Sequence, residues 1–215
     1  MAISKVNFNS LNVTPTASKV LKFNSSNDGL ETGDVGGALV LISEQTASSS
    51  STIDFTSGID STYKEYIFKF IDIHPANDQT HFQVNFRDGS TAYDATKTTT
   101  VFEAYHQESG SSSALQYTAG RDLAQSTSAQ QLSNSTGNGN DESCSGVLHL
   151  FDPSNTTFVK HFMARVQNYQ GDGDGYSIQH FTAGYCNVTA AIDGVQFSMS
   201  SGNIDSGTIK MYGVT

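Results

Sequence analysis

The sequence predicts an all-β fold, a jelly-roll-like antiparallel β-sandwich preceded by an extended N-terminal arm. Three observations predict it. Aromatic and β-branched residues alternate with polar ones at period two in many short runs, as in strands with one face buried. Turn residues interrupt those runs roughly every 8–12 residues, the spacing of sandwiches. No window carries a strong helical period; the short polar stretch from Gly120 to Leu132 is the one helical candidate.

The elements follow in chain order. Residues 1–36 read as a docking arm. Within it, Asn27-Asp28-Gly29 is a turn signal, because Asn and Gly tolerate positive φ. It joins Val20 to Phe23 with Leu30-Glu31 as a small hairpin. Residues 37–215 read as the sandwich domain. Ala38 to Ile42 is a short apolar run, and Ser51 to Phe55 alternates. Glu65 to Ile73 places Tyr66, Phe68 and Phe70 on one face and Ile67, Ile71 and Ile73 on the other. That pattern predicts a central strand covered on both sides, with Lys69 near an edge or pocket. His81 to Arg87 points Phe82, Val84 and Phe86 inward, and Arg87 to Ser90 supplies a turn. Thr99 to Tyr105 and Val147 to Phe151 continue the pattern, followed by a turn at Asp152-Pro153. Thr157 to Val166 places Phe158, Phe162, Ala164 and Val166 on one face. Thr189 to Ile192, Val195 to Met199 and Thr208 to Tyr212 complete the strands.

Composition narrows the function. Charged residues are 15% of the 215, against roughly 25% in an average domain. Low charge with much Ser and Gly is also a mark of disorder, but 13 Phe and 9 Tyr in regular alternation supply a core. The net charge of -10 argues against a nucleic-acid partner. The longest apolar run, Gly36 to Ile42, is too short to insert in a membrane. The first residues lack the apolar stretch of a secretory signal, so export by that route is not expected.

Local motifs assign no catalytic, cofactor-binding or metal-ligating residue. Asp172 and Asp174, in Gly171 to Gly175, are the only metal suspects, and a solvated hairpin loop accounts for them better than a calcium site. The six histidines, His74, His81, His106, His149, His161 and His180, form no zinc spacing. His149 and His161 read as packed or surface strand residues, and His74 before Pro75 as a turn residue. Gly110 to Ala114 lacks the second glycine of a nucleophile elbow. Cys144 has no base near it in sequence. Cys144 and Cys186 read as two buried free thiols, with one disulfide between neighbouring strands as the alternative. Sequons at Asn12, Asn24, Asn134, Asn155 and Asn187 follow from the composition. Tyr93, Tyr105, Tyr117, Tyr169 and Tyr176 lie in or near loops, where some would stack on sugar rings and others would pack loops onto the core.

Three stretches carry a resemblance. Phe55 to Tyr63 followed by Glu65 to Pro75, the closing Ser201 to Gly213, and Lys19 to Glu31 together resemble small virion structural proteins of tailed bacteriophages, especially marine cyanophages. The closing segment matches a "SGTIKLYG"-like final strand, and Lys19 to Glu31 a short element of phage fibre proteins. The resemblance implies a non-enzymatic jelly-roll protein on the virion surface, made in the host cytoplasm, with no cofactor. It implies other virion proteins of head or tail as partners, a homotrimer, and a host surface glycan as a further partner. The arm favours a tail-fibre or appendage component; the compact length favours capsid decoration.

Overall fold

A computed structural model describes residues 19–33, 38–171 and 175–215. Two compact units divide at residues 38 and 39. The first holds a hairpin of β1 (Val20–Phe23) and β2 (Leu30–Gly33). Its turn works as the residues dictate. Asn27 takes a φ of 57°, and the Asn24 amide donates to Gly29 O at 3.0 Å. Lys22 and Glu31 face each other across the strands at 3.4 Å.

The second unit is a two-layer antiparallel sandwich, and no helix occurs among the described residues. Its strands are β3 (Leu39–Thr46), β4 (Thr52–Phe55), β5 (Glu65–Pro75), β6 (Phe82–Arg87), β7 (Lys97–Gln107), β8 (Ser113–Tyr117) and β9 (Gln130–Gln131). They continue with β10 (Cys144–Phe151), β11 (Lys160–Gln170), β12 (Tyr176–Cys186), β13 (Gly194–Met199) and β14 (Ile204–Val214). One sheet has eight strands in the order β3-β14-β5-β10-β11-β12-β7-β8; the other has four, β4-β13-β6-β9. The all-β sandwich is therefore as expected; two sheets of such unequal size do not by themselves establish a jelly roll.

The unequal sheets explain the core. Four strands cannot cover eight. Over β5, β10 and β11 the two layers enclose an apolar centre in which Phe55, Phe68, Phe70, Phe82, Phe86, Phe162 and Phe197 are buried. Over β12 and β7 many inward side chains are polar, Lys97, Thr99, Glu103, His180 and Thr182 among the apolar Val101 and Ile178. The segment 118–136 covers them. It starts along the large sheet, where Thr118 N donates to Val101 O and Thr99 N donates to Leu123 O. It ends along the small one, where Leu132 N donates to Phe82 O. This strap is the stretch for which the sequence suggested a helix. It is an irregular loop, with a turn at Thr118 to Arg121 and the two-residue β9 near its end, because its hydrogen-bonding groups complete the edges of both sheets, a stronger claim on them than a short polar helix makes.

Three other expectations are corrected. On β5, Ile73 turns into the core while Ile71 stays 41% exposed. An extra residue, Asp72 at a φ of 51°, inserts between them and shifts both neighbouring strands. A bulge resets the alternation, so the two-face reading fails beyond Phe70. Gly207 lies opposite at a φ of 119°, and a Cβ there would lie 2.6 Å from Asp72 O. Phe158 stays outside the core at 69% exposure, because Asn155 Oδ1 accepts from the Thr157 and Phe158 amides and delays β11 to Lys160. Residues 189–192 form a loop, whose Ile192 amide donates to Pro153 O at 2.8 Å.

Candidate functional site

The buried polar groups under the strap form a connected constellation. β7 and β12 place Glu103 opposite His180, and both face inward. Glu103 is 3% exposed and His180 fully buried. Glu103 Oε1 accepts from Gln116 Nε2, and Oε2 from Asn134 Nδ2, each at 3.0 Å. His180 Nδ1 lies 3.5 Å from Oε2, too poorly aligned for a hydrogen bond, and neither ring nitrogen has a hydrogen-bond partner. The adjacent imidazole and the two amide donors hold the Glu103 carboxyl down at about 2, against the burial that pushes it up.

The strap adds a cation above this pair. Arg121 donates to Gln131 Oε1 at 2.9 Å and to Asn134 Oδ1, and its Nη1 lies 3.3 Å from His81 Nδ1. His81 Nδ1 also accepts from the Ser135 amide at 3.0 Å. A nitrogen that accepts carries no proton, so the geometry selects the neutral ring. Burial, the Arg121 charge and His180 accordingly hold His81 down at about 4. Asn168 closes the network: its Nδ2 donates to Asn134 O at 2.7 Å, and the Asn134 amide donates to its Oδ1. A hollow of about 410 Å³ lined by His81, Thr118, Gly120, Arg121 and Gln131 opens above.

This arrangement is suited to holding a loop. The guanidinium is occupied by strap side chains and the carboxylate by Asn134 of the strap and Gln116 of β8, and the Glu103–His180 pair is sealed from solvent. Lysines do the same work at the end of the sheet. Lys97 and Lys160 are fully buried on either side of Cys186 in the β7-β12-β11 register. Lys97 Nζ donates to Asn85 Oδ1 and Ala95 O, and Lys160 Nζ to Val188 O and Asn155 O. Burial lowers Lys97 to about 8. Lys160 crosslinks two loops through their carbonyls, and Lys97 ties β7 to β6.

The residues singled out in the sequence are dispersed. His74 lies within β5 instead of a turn, its Nδ1 2.6 Å from Glu142 O. His149 is half-buried, 2.5 Å from Glu65 Oε1, and His161 is exposed on β11. Tyr105 and Tyr176 pack edge to face at 5.9 Å, and Arg87 sits 6.0 Å over Tyr93. Tyr169 is half-buried; Tyr117 is 56% exposed, its hydroxyl bonded to Asp122. Asp172 and Asp174 lie outside the described residues. Among the described residues no three His, Cys, Asp or Glu side chains gather as metal ligands. Glu103, Arg121, Lys97 and Lys160 were not singled out. The signal for Lys97, Glu103 and Lys160 is charge on the inward phase of an alternating strand, as in Lys97, Thr99, Val101 and Glu103; Arg121, in the loop, carries no such signal.

Cys144 and Cys186 are free and buried. Cys144 pairs with Asn168, which pairs with Ile178 of β12, eight residues from Cys186. That places the thiols about 27 Å apart at ~3.4 Å per residue, far beyond disulfide reach. Burial pushes both thiols up to about 12. Native protein is expected to leave both unreacted toward a thiol reagent, and denatured protein to titrate two. Rapid labelling of either in the native state contradicts this.

Comparison with protein-family models gives no match, and comparisons with curated proteins and with solved structures give none.

Proposed function

We propose that the chain is a non-enzymatic structural protein of a tailed-bacteriophage virion, exposed on the particle surface. In this reading it is a tail-fibre or appendage component that docks through residues 1–36 and assembles as a homotrimer, with the sandwich, of jelly-roll descent, facing outward. The observation that carries the reading is the resemblance of the closing segment, Ser201 to Gly213, to virion proteins. That segment coincides with β14, which pairs with both β3 and β5. The resemblance thus falls on residues that organise the large sheet and not on an interchangeable loop. The use of the buried carboxylate, imidazoles and guanidinium as ties for the strap also favours a structural role. Capsid decoration is the second reading, favoured by the compact sandwich that residues 39–215 form as one unit.

Quantitative mass spectrometry of purified particles tests this. A few copies per virion are expected for the tail position. Hundreds per virion would move the protein to the shell, and its absence from purified particles would end the proposal.

A further inference from the structure

The outer face of the large sheet carries a row of aromatic and cationic side chains in register: Tyr117, Phe102, Phe181, Arg165, Val147 and Lys69. Phe102 and Phe181 stack at 4.6 Å and 8°, and the Arg165 guanidinium lies 5.7 Å from the Phe181 ring. Lys69 Nζ sits 5.2 Å over Tyr212. Next to this row the face dips twice. One hollow of about 440 Å³ is bordered by Phe102, Arg165, His149 and Met163; the adjoining one, about 420 Å³, by Met163, His161, Tyr185 and Thr98. Met163, 50% exposed, and Ala183 are common to both.

The charges here run against those of the chain. Acidic residues outnumber basic ones 21 to 11. Yet among the described residues no carboxylate lies at ion-pair distance from Lys69 or Arg165. The nearby acids are already engaged, Glu65 with His149 and Glu44 with Lys210. The two cations are two strand spacings apart, about 10 Å, held over rings and directed to solvent. An apolar floor suits the CH faces of sugar rings. The His149, His161, Thr98 and Tyr185 groups at the margins suit hydroxyls. Two joined hollows suit consecutive rings of a polymer. Lys210, in register with Lys69, is neutralised by Glu44, so the two cations left without a carboxylate, Lys69 and Arg165, suit a ligand of sparse negative charge.

We propose that this face binds an acidic polysaccharide, its sugar rings in the two hollows and its uronic carboxylates on Arg165 and Lys69. The site goes beyond the virion assignment and does not rest on it, since the purified chain alone is tested.

The test titrates the full chain calorimetrically with a uronic-acid hexasaccharide, a neutral glucan hexasaccharide and a thymidine oligonucleotide of equal charge. The acidic saccharide is expected to bind best, more weakly as salt rises. Binding is expected to drop about tenfold or more in Arg165→Gln and in Met163→Glu. Phe158→Ser, at an exposed position that borders neither hollow, is expected to change nothing. Thermal unfolding confirms that each variant folds. No binding, equal binding of the neutral saccharide or the oligonucleotide, or an unchanged Arg165→Gln affinity overturns the proposal. Self-association abolished by Met163→Glu, without saccharide binding, overturns it in favour of a second copy on this face.

Discussion

Replacing Phe197 by alanine is expected to destabilise the sandwich by about 3–5 kcal/mol, the range for a buried phenylalanine truncated in a core. The ring is fully buried and reaches both sheets. From β13 it lies 5.1 Å from Phe70 and 5.5 Å from Phe68 of β5. Within its own sheet it lies 5.6 Å from Phe82 and 6.2 Å from Phe55. Four rings would lose a partner at once, and rings held by two hydrogen-bonded sheets have little freedom to collapse into the gap. Domains of this size are stable by about 5–15 kcal/mol, so the alanine variant sits near the limit of folding. Phe197→Leu keeps most of the volume and is expected to cost no more than about 1.5 kcal/mol, which keeps the site measurable. Phe158→Ala is expected to stay within about 0.5 kcal/mol. Urea unfolding at neutral pH ranks the three through their midpoints. An alanine loss below about 1 kcal/mol would mean that Phe197 does not join the layers.

The aromatic centre was legible because its elements follow the simplest code. Phe82, Val84 and Phe86 alternate without interruption, as do Phe162, Ala164 and Val166, and all six are buried. The code fails where the backbone adds a residue. Asp72 at positive φ moves Ile73 to the opposite face, and nothing in a run of Ile, Asp and Ile marks a bulge. It also fails where burial is polar. Glu103 and Lys97 look like solvent-facing charges, because periodicity records which residues share a face and not which face is covered. The cover is the strap, and its Arg121, Gln131 and Asn134 become partners of Glu103 and His81 only through long-range closure. Asn134 reads in the sequence as a sequon, whereas its structural use is to join Arg121, Glu103 and Asn168.

Acid is expected to loosen this closure in two stages. His81 is held at about 4 in the folded chain against an ordinary 6.5. The unfolded chain therefore binds the proton first, and stability falls as pH drops from about 6.5 toward 4. Glu103 is held at about 2 against an ordinary 4.5, so its contribution is complete above 4.5 and is lost between about 4.5 and 2. Each gap corresponds to roughly 3 kcal/mol at about 1.4 kcal/mol per pH unit. Geometry gives the same direction. A proton on His81 Nδ1 displaces the Ser135 amide and meets the Arg121 cation; a proton on Glu103 weakens its acceptance from Gln116 and Asn134. Both events strike the strap, so its amides at Leu132 and Thr136 are expected to lose protection from hydrogen exchange before those of the aromatic centre. Urea midpoints measured from pH 7 to pH 3 give the profile, and His81→Gln separates its stages. That variant is expected to flatten the segment between 6.5 and 4.5 while keeping the fall below 4.5. A flat wild-type profile above pH 4.5, or an unchanged slope in His81→Gln, would remove His81 from the mechanism. Eight strands under four leave β7 and β12 to be covered by a loop, and a loop held by ionisable side chains releases with their charge.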